Sequence, residues 1–318
     1  MKIAKKIVTP CILLFVVSTL AGCLSDTRGT LQGSDVPGLS LTIATMPALE
    51  TFPIFIAQAQ GFFLDEGLDM RLEQFFSPVD RDIAFHADQS IDGLSFGLLE
   101  VIMYRQAGID LVATTSSIGM ASIIGARGVY SIEDLRGQNI LLSSGTSMES
   151  ILDRALTSAG LTLDDISIDE VPALPTRLEM LLHGHAGAAM LPEPFVTVAL
   201  DAGLNSVATA AEIGVNPFIF AFRREVTENN LEALQAFYRA INRAVDFLNT
   251  ADPELYLDML IEKVGYPEHF RDSLVLPFFP PYSVPRYETV QDILDFSYAR
   301  GLHTMPLTVS QLIFDIGN

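Results

Sequence analysis

The chain has 318 residues, 49% of them hydrophobic, with 22 glycines and 17 prolines, which suits one large or two medium globular domains with an ample core. It carries 19 basic against 39 acidic side chains, a formal net charge of −20. A field of that sign repels nucleic acid and anionic lipid surfaces and argues against both as partners. The acids are scattered rather than run together, so they read as a solvated acidic surface.

Lys2, Lys5 and Lys6 open the chain, an apolar run from Ile12 to Val17 follows, and Leu20-Ala21-Gly22-Cys23 closes the segment. Charged start, apolar centre and small-residue end are the three parts of a secretory signal. Because cysteine follows the small pair, the segment resembles a bacterial lipobox. On that reading residues 1–22 are removed and Cys23 becomes the first residue. Its thiol then carries a diacylglycerol and its amine a further acyl chain of the palmitate kind. Each buried CH₂ contributes about 0.8 kcal/mol, so two or more chains hold a protein on a membrane stably. The competing reading is a plain transmembrane anchor. Against it, the run Ile7 to Leu24 contains Pro10 and is short for a span of about 20 residues. The expected location is therefore the extracytoplasmic face of the cell membrane, held by lipid. The chain has two cysteines, Cys11 and Cys23, so no disulfide or thiolate chemistry is expected of the mature fold. Residues 23–38, polar and glycine-bearing, predict a flexible tether.

Leu39 to Thr45 alternates apolar and polar residues and predicts a first strand. The loop Met46 to Phe52 leads into an apolar helix through Phe55 and Ile56. Asp69 to Phe75 predicts a second strand, after which Ser77 caps a helix that has Pro78 first and Asp80 third. Further strands are predicted at Leu94–Phe96, Leu111–Thr114, Ile140–Ser143, Ala188–Leu191 and Phe218–Ala221, alternating with helices. The pattern argues an α/β fold with largely parallel sheets. From Thr227 it turns helical: Leu231, Leu234, Tyr238, Ile241, Val245 and Leu248 form one apolar stripe, and Pro253–Val264 and Tyr287–Tyr298 predict two more helices. A faint repeat runs through this order. Arg81-Asp82-Ile83-Ala84-Phe85 leads by a turn to Ile91 to Gly97, and Arg177-Leu178-Glu179-Met180-Leu181 leads by a turn to Ala186 to Pro192. It fits two similar α/β lobes, or simply two βαβ units.

Ligands of open α/β sheets sit beyond the carboxyl ends of strands, beside helix N-termini. The loops meeting that description are Met46 to Pro53, Ser77 with its helix, Ser95 to Gly97, and Ser144 to Glu149. In the last, Thr146 and Glu149 have capping-box spacing, and the loop reads either as a helix cap or as a pocket for a polar or anionic group. Glu193, between Pro192 and Pro194, is either a surface turn or a rigid acceptor for a ligand N–H. Among five histidines, His183 and His185 are two apart without an evident third ligand, so no metal site is expected. No nucleophile elbow, His-Glu-x-x-His, P-loop or dinucleotide fingerprint occurs, and no catalytic residue or cofactor is assigned.

Gly61-Phe62-Phe63-Leu64-Asp65-Glu66-Gly67-Leu68 resembles the GFFxxEGL segment of ABC-transporter solute-binding proteins for nitrate, taurine, aliphatic sulfonates and thiamine-pyrimidine precursors. Arg81-Asp82, Ile91-Asp92-Gly93, Asp134-Leu135-Arg136-Gly137, Gly145-Thr146 and Pro192-Glu193-Pro194 agree with it in order. The resemblance covers about residues 40–300. It implies a periplasmic-binding-protein-like fold of type II: two lobes, a hinge and a helical C-terminal segment. Lobe one is expected at 39–125 with 222–318 and lobe two at 126–221, with crossings near Ser122–Arg127 and Phe220–Arg224. The implied role is a monomeric lipoprotein that captures a small organic solute, a thiamine-pyrimidine precursor or a sulfonate-like molecule, for ABC permease subunits. The implied ligand residues are Met46, Leu49, Glu50, Thr51, Phe52, Ser77, Ser95, Phe96, Gly97, Thr114, Ser116, Gly145, Thr146, Ser147 and Glu193. The chain lacks tryptophan, which pyrimidine binders often stack on their ligand, and Phe52 or Phe96 would have to serve. A ligand-presenting sensor lipoprotein is the alternative. A pyrimidine-synthase-like enzyme is a further one, opposed by the lack of a cysteine-rich site.

Overall fold

The structure, a computed structural model, describes residues 38–317. The leader 1–22, Cys23 and all but the last residue of the expected tether lie outside the described residues. The described chain is built on two five-stranded sheets. The first holds β1 (Leu39–Thr45), β2 (Leu68–Gln74), β3 (Gly93–Gly97), β4 (Leu111–Ser116) and β10 (Phe218–Arg223), in the order β2-β1-β3-β10-β4. The second holds β5 (Ala121–Gly125), β6 (Asn139–Leu142), β7 (Ser167–Glu170), β8 (Ala188–Pro192) and β9 (Asn205–Thr209), in the order β7-β6-β8-β5-β9. The two orders are the same path repeated. In each sheet the fourth strand is antiparallel to both neighbours, and it comes from the other half of the chain. The remaining strands of each sheet run parallel, as the alternation of strands and helices predicts.

The helices of the first half are α1 (Phe52–Ala59), α2 (Phe62–Asp65), α3 (Pro78–Ala87) and α4 (Leu98–Gln106). Those of the second are α5 (Ser147–Ser158), α6 (Leu174–Leu182), α7 (Phe195–Asp201) and α8 (Ala210–Ile213). After β10 come α9 (Arg224–Asn229), α10 (Leu231–Thr250), α11 (Leu257–Val264) and α12 (Tyr287–Ala299). Among these described helices none is long and apolar enough to cross a membrane.

The twenty-residue α10 returns the C-terminal segment to the first sheet. Its stripe buries Leu234, Phe237, Tyr238, Ile241, Val245 and Leu248 against α1, α2 and the face of β1 and β10. Each such side chain contributes about 1.5–3 kcal/mol by leaving water, which is why a long amphipathic helix ends here and not in solvent. The segment Gly61 to Leu68 makes the seat for it. Gly61 and Gly67, with φ of 74° and 70°, turn the chain tightly at either end of α2. Phe63 stacks on Phe237 at 5.8 Å, and the Arg243 guanidinium lies 4.3 Å from the centre of the Phe62 ring. Arg243 and Arg239 pair with Asp65 and Glu66, each at 2.7 Å.

Sequence periodicity finds seven of the ten strands as named, to within two residues at each end, and misses β7 and β9. Both are short edge strands with alternating half-exposed residues, so no apolar run marks them. β5 overlaps a segment expected to cross between lobes. Its register places it wholly in the second sheet, and β10 lies wholly in the first, so the passages between sheets are residues 117–120 and 214–217. The two passages run side by side. Ser117 donates its N–H to the Phe218 carbonyl at 3.0 Å, and the Asn216 amide donates to the Ser117 carbonyl at 2.6 Å. Gly119 permits this closeness, since a Cβ there would fall 2.0 Å from the Phe218 ring.

Candidate functional site

The carboxyl ends of the central strands of both sheets face one cavity of about 400 Å³. That is within the usual range for small-molecule sites. The first sheet supplies Met46, Pro47, Ala48 and Glu50 after β1, Ser95, Phe96 and Gly97 from the end of β3, Glu100 from the start of α4, and Pro78, Val79, Arg81 and Asp82 from the start of α3. The second supplies Ser143, Thr146 and Met148 after β6, Glu170 at the end of β7 with Pro172 after it, Leu174 and Arg177 from α6, and Pro192 at the end of β8. Met120 and Phe218, at the passages, form its back. A larger hollow of about 600 Å³ lies at the opposite end of the second sheet, beside Asn139 and Gly187. One sheet alone lines it, so the cavity shared by both strand ends is the better candidate.

Hydrogen bonds fix the loops around this cavity. The Thr51 hydroxyl donates to the carbonyls of Met46 and Ala48 at 3.0 and 2.9 Å, folding the loop after β1 back on itself. The Thr45 and Ser95 hydroxyls meet at 3.1 Å and join the ends of β1 and β3. Ser77 caps α3, accepting from the Asp80 N–H at 3.3 Å. The repeat read in the sequence has a structural counterpart. Arg81 on α3 donates from Nη1 to the Ser95 carbonyl at 3.1 Å, and Arg177 on α6 donates from Nη1 to the Met190 carbonyl at 2.6 Å. Both arginines are buried, at 5% and 1% exposure. Arg81 also gives Nε and Nη2 to Asp82, and Arg177 gives Nε and Nη2 to the Val171 carbonyl. Burial lowers the pKa of Arg177 to about 10, opposed by the charge of Glu170.

The helices that follow β3 and β6, α4 and α5, touch directly at the rim. The Glu100 carboxylate accepts from the Ser147 hydroxyl at 2.7 Å and from the Ser147 N–H at 3.3 Å. Ser147 Oγ accepts from the Leu99 N–H at 3.1 Å. Gly97 makes room for this contact, because a Cβ there would lie 2.0 Å from Ser147 Oγ. Beside it, Arg300 from the end of α12 reaches the buried Glu149 of α5 at 2.7 Å. The capping box expected of Thr146 and Glu149 does not form. The Thr146 hydroxyl donates to the Ser143 carbonyl, and Glu149 accepts from the Gly145 N–H and from Arg300. An acid on the facing helix, Glu100, takes the helix N–H instead.

Of the ligand residues expected from sequence, Met46, Glu50, Ser95, Phe96, Gly97 and Thr146 come together on the cavity wall. Leu49, Thr51 and Phe52 are buried beneath the same loop, and Phe52 packs edge-on against Tyr256. Ser77 and Gly145 serve the turns ahead of α3 and α5, and Ser147 serves the rim contact. Thr114 is tied to Tyr238, and Ser116 pairs with Ser283 away from the cavity. Glu193 lies beside the cavity, its carboxylate accepting from the Thr197 hydroxyl at 2.8 Å and N–H at 3.2 Å; burial raises its pKa against those bonds. Burial also pushes Glu50 up to about 7, against a hydrogen bond from its own N–H, and raises Glu100 against its bonds to Ser147. Sequence reading missed Glu100, Met120, Glu170 and Phe218, and named Met148 only as part of the loop Ser144 to Glu149. For Arg81 and Arg177 the repeat was the available signal.

The NMT1/THI5-like family model matches residues 49–254, which include most of the cavity and both passages between sheets. The chain belongs to the NMT1/THI5-like family. A curated protein of Brucella abortus, provisionally named as a binding protein, is 26% identical to this NMT1/THI5-like chain over 212 residues, covering 64% of the chain. The match spans 65% of that relative's length. The fold is that of periplasmic binding proteins. The periplasmic aliphatic sulphonate binding protein SsuA from Escherichia coli superposes with a TM-score of 0.75 and 21% identity, over 87% of this chain and 92% of its own. The desulfurization enzyme DSZB superposes with a TM-score of 0.60 and 13% identity, over 87% and 96%. Within this NMT1/THI5-like chain, the Gly61–Leu68 segment that carries the resemblance seats α10 and takes no part in the cavity.

Proposed function

We propose that this protein is the extracytoplasmic solute receptor of an ABC importer, anchored through lipid on Cys23, and that it closes its two sheets around a small organic molecule for delivery to permease subunits. The observation that carries the reading is the placement of the cavity. Its walls come from corresponding strand ends of two sheets joined by two adjacent passages, so a rotation at 117–120 and 214–217 would open and close it. The lobes we propose follow the strand membership of those sheets, with α10 to α12 moving with the first. The wall contains no cysteine, histidine or lysine, and the Ser95 hydroxyl is engaged by Thr45, which favours capture over covalent chemistry. The solute class expected from the family is a thiamine-pyrimidine precursor or a sulfonate-like molecule. The test is mass spectrometry of the protein purified natively from its own host. A stoichiometric small molecule, released on denaturation and raising the melting temperature when added back, is expected. Release of a chemically converted product from a supplied solute would replace the receptor reading with an enzymatic one.

A further inference from the structure

The charges on the cavity wall are not arranged for an anion. Its cations are Arg81 and Arg177, and both are held by the protein itself. Arg81 faces Asp82 at 2.9 and 2.8 Å and the Ser95 carbonyl, while Arg177 grips two backbone carbonyls. The other common anion site, a helix N-terminus, is present at α5 and is filled by the Glu100 carboxylate. Glu50, Asp82, Glu100 and Glu170 line the same space, so acids outnumber bases.

Glu50 differs from the other three. Asp82 is paired with Arg81, Glu100 is bonded to Ser147, and Glu170 accepts from the Ser144 N–H at 2.9 Å. Among the described residues no side chain donates to the Glu50 carboxylate, and no basic residue contributes to its electrostatics. A carboxylate set in an apolar wall without a cationic partner is disfavoured in its charged form, and a cation brought by a ligand relieves that. Around it the wall is apolar and adaptable: Met46, Met120, Met148, Phe96 and Phe218.

We propose that the solute of this site is a small apolar molecule bearing a basic nitrogen, and that Glu50 is the group that receives it. The inference rests on the receptor reading above and names its ligand chemistry. A sulfonate placed here would meet Glu50, Glu100 and Glu170 with no uncommitted cation.

The experiment compares three probes sharing one ring: benzylamine, benzyl alcohol and benzenesulfonate. Each is titrated calorimetrically into the full-length protein and into the Glu50→Gln variant, at a pH where Glu50 is ionised. Thermal unfolding first establishes that the variant is folded. Benzylamine is expected to bind at least about tenfold more tightly than benzenesulfonate, the size of one charge-assisted hydrogen bond. Glu50→Gln should erase that preference and leave benzyl alcohol within about twofold of its wild-type affinity. The proposal is overturned if benzenesulfonate binds as well as the amine, if the amine preference survives in Glu50→Gln, or if no probe binds at about 10 mM, where even weak fits register. The natively co-purified solute separates the two readings. An anion found there would overturn the ligand chemistry alone, whereas a converted solute would overturn the receptor.

Discussion

Replacing Gly97 with alanine puts one methyl group where the two sheets meet. The added Cβ would lie 2.0 Å from Ser147 Oγ, 2.4 Å from Ser147 Cβ and 2.5 Å from Glu100 Oε2. Two of these belong to a side chain held on a helix N-terminus, so relief requires α5 to move away from α4. Forcing a methyl into a filled contact costs about 1–3 kcal/mol. The movement also strains the Ser147–Glu100 pair, and a hydrogen bond to a charged group is worth about 1.5–3 kcal/mol. Part of both losses is recovered by water entering the rim, so a net destabilisation of about 2–3 kcal/mol is expected. Urea unfolding followed by circular dichroism measures it. The diagnostic arm is Ser147→Gly, which removes the two nearest of the three atoms the methyl strikes. The double variant should then be more stable than the sum of the two single losses implies, by about 1 kcal/mol or more. A wild-type midpoint for Gly97→Ala, or strict additivity in the double variant, would refute the close contact between α4 and α5.

Further outcomes follow from the same structure. Cells fed a clickable fatty acid should label the wild-type protein and not Cys23→Ala; label that survives the substitution removes the lipid anchor. Small-angle scattering should show a smaller radius of gyration with the native solute than without it, and the melting temperature should rise because solute binds the folded state alone. A confirmed solute that changes neither argues against rotation at 117–120 and 214–217. Glu50 has a folded pKa raised by burial from 4.5 to about 7, so the folded protein holds its proton where the unfolded chain has released it. Stability of the empty protein should therefore fall as pH rises through that window, and the wild-type minus Glu50→Gln difference in melting temperature should carry the slope. A flat difference between pH about 5 and 8 would show the carboxyl to be solvated.

The positions of the central strands were legible because apolar runs at β1, β3, β6, β8 and β10 are bounded by turn residues and largely buried. The paired arginines were legible as a repeat, but not their task. Whether Arg81 and Arg177 point at a ligand or at a strand carbonyl depends on the 13 or 14 residues of chain that bring α3 under Ser95 and α6 under Met190. The rim contact was not legible at all. Glu100 and Ser147 are 47 residues apart, and Glu100 reads in sequence as an ordinary acid in a helix's first turn. Thr146 and Glu149 have the spacing of a capping box, and tertiary partners overrode it: Arg300 is 151 residues from Glu149. Local pattern sets which groups are available, and the approach of a second element decides which of them bond.

The same distinction governs what family membership carries. The residues that announce the family, Gly61 to Leu68, hold α10 on the first sheet through the Phe63–Phe237 stack and the Arg239 and Arg243 pairs. They are constrained by packing in this chain. The cavity wall is different. It is drawn from loop ends, whose side chains can change without disturbing either sheet. Two of its constraints are structural, since Arg81 and Arg177 each satisfy a strand carbonyl and cannot be traded for a neutral residue without leaving that carbonyl buried and unpaired. Among the described residues Glu50 pairs with no other side chain, its carboxylate taking a bond from its own N–H alone. A carboxylate kept on an apolar cavity wall without an ion-pair partner fits a partner that arrives, and that makes Glu50, not the family motif, the residue from which the solute is to be read.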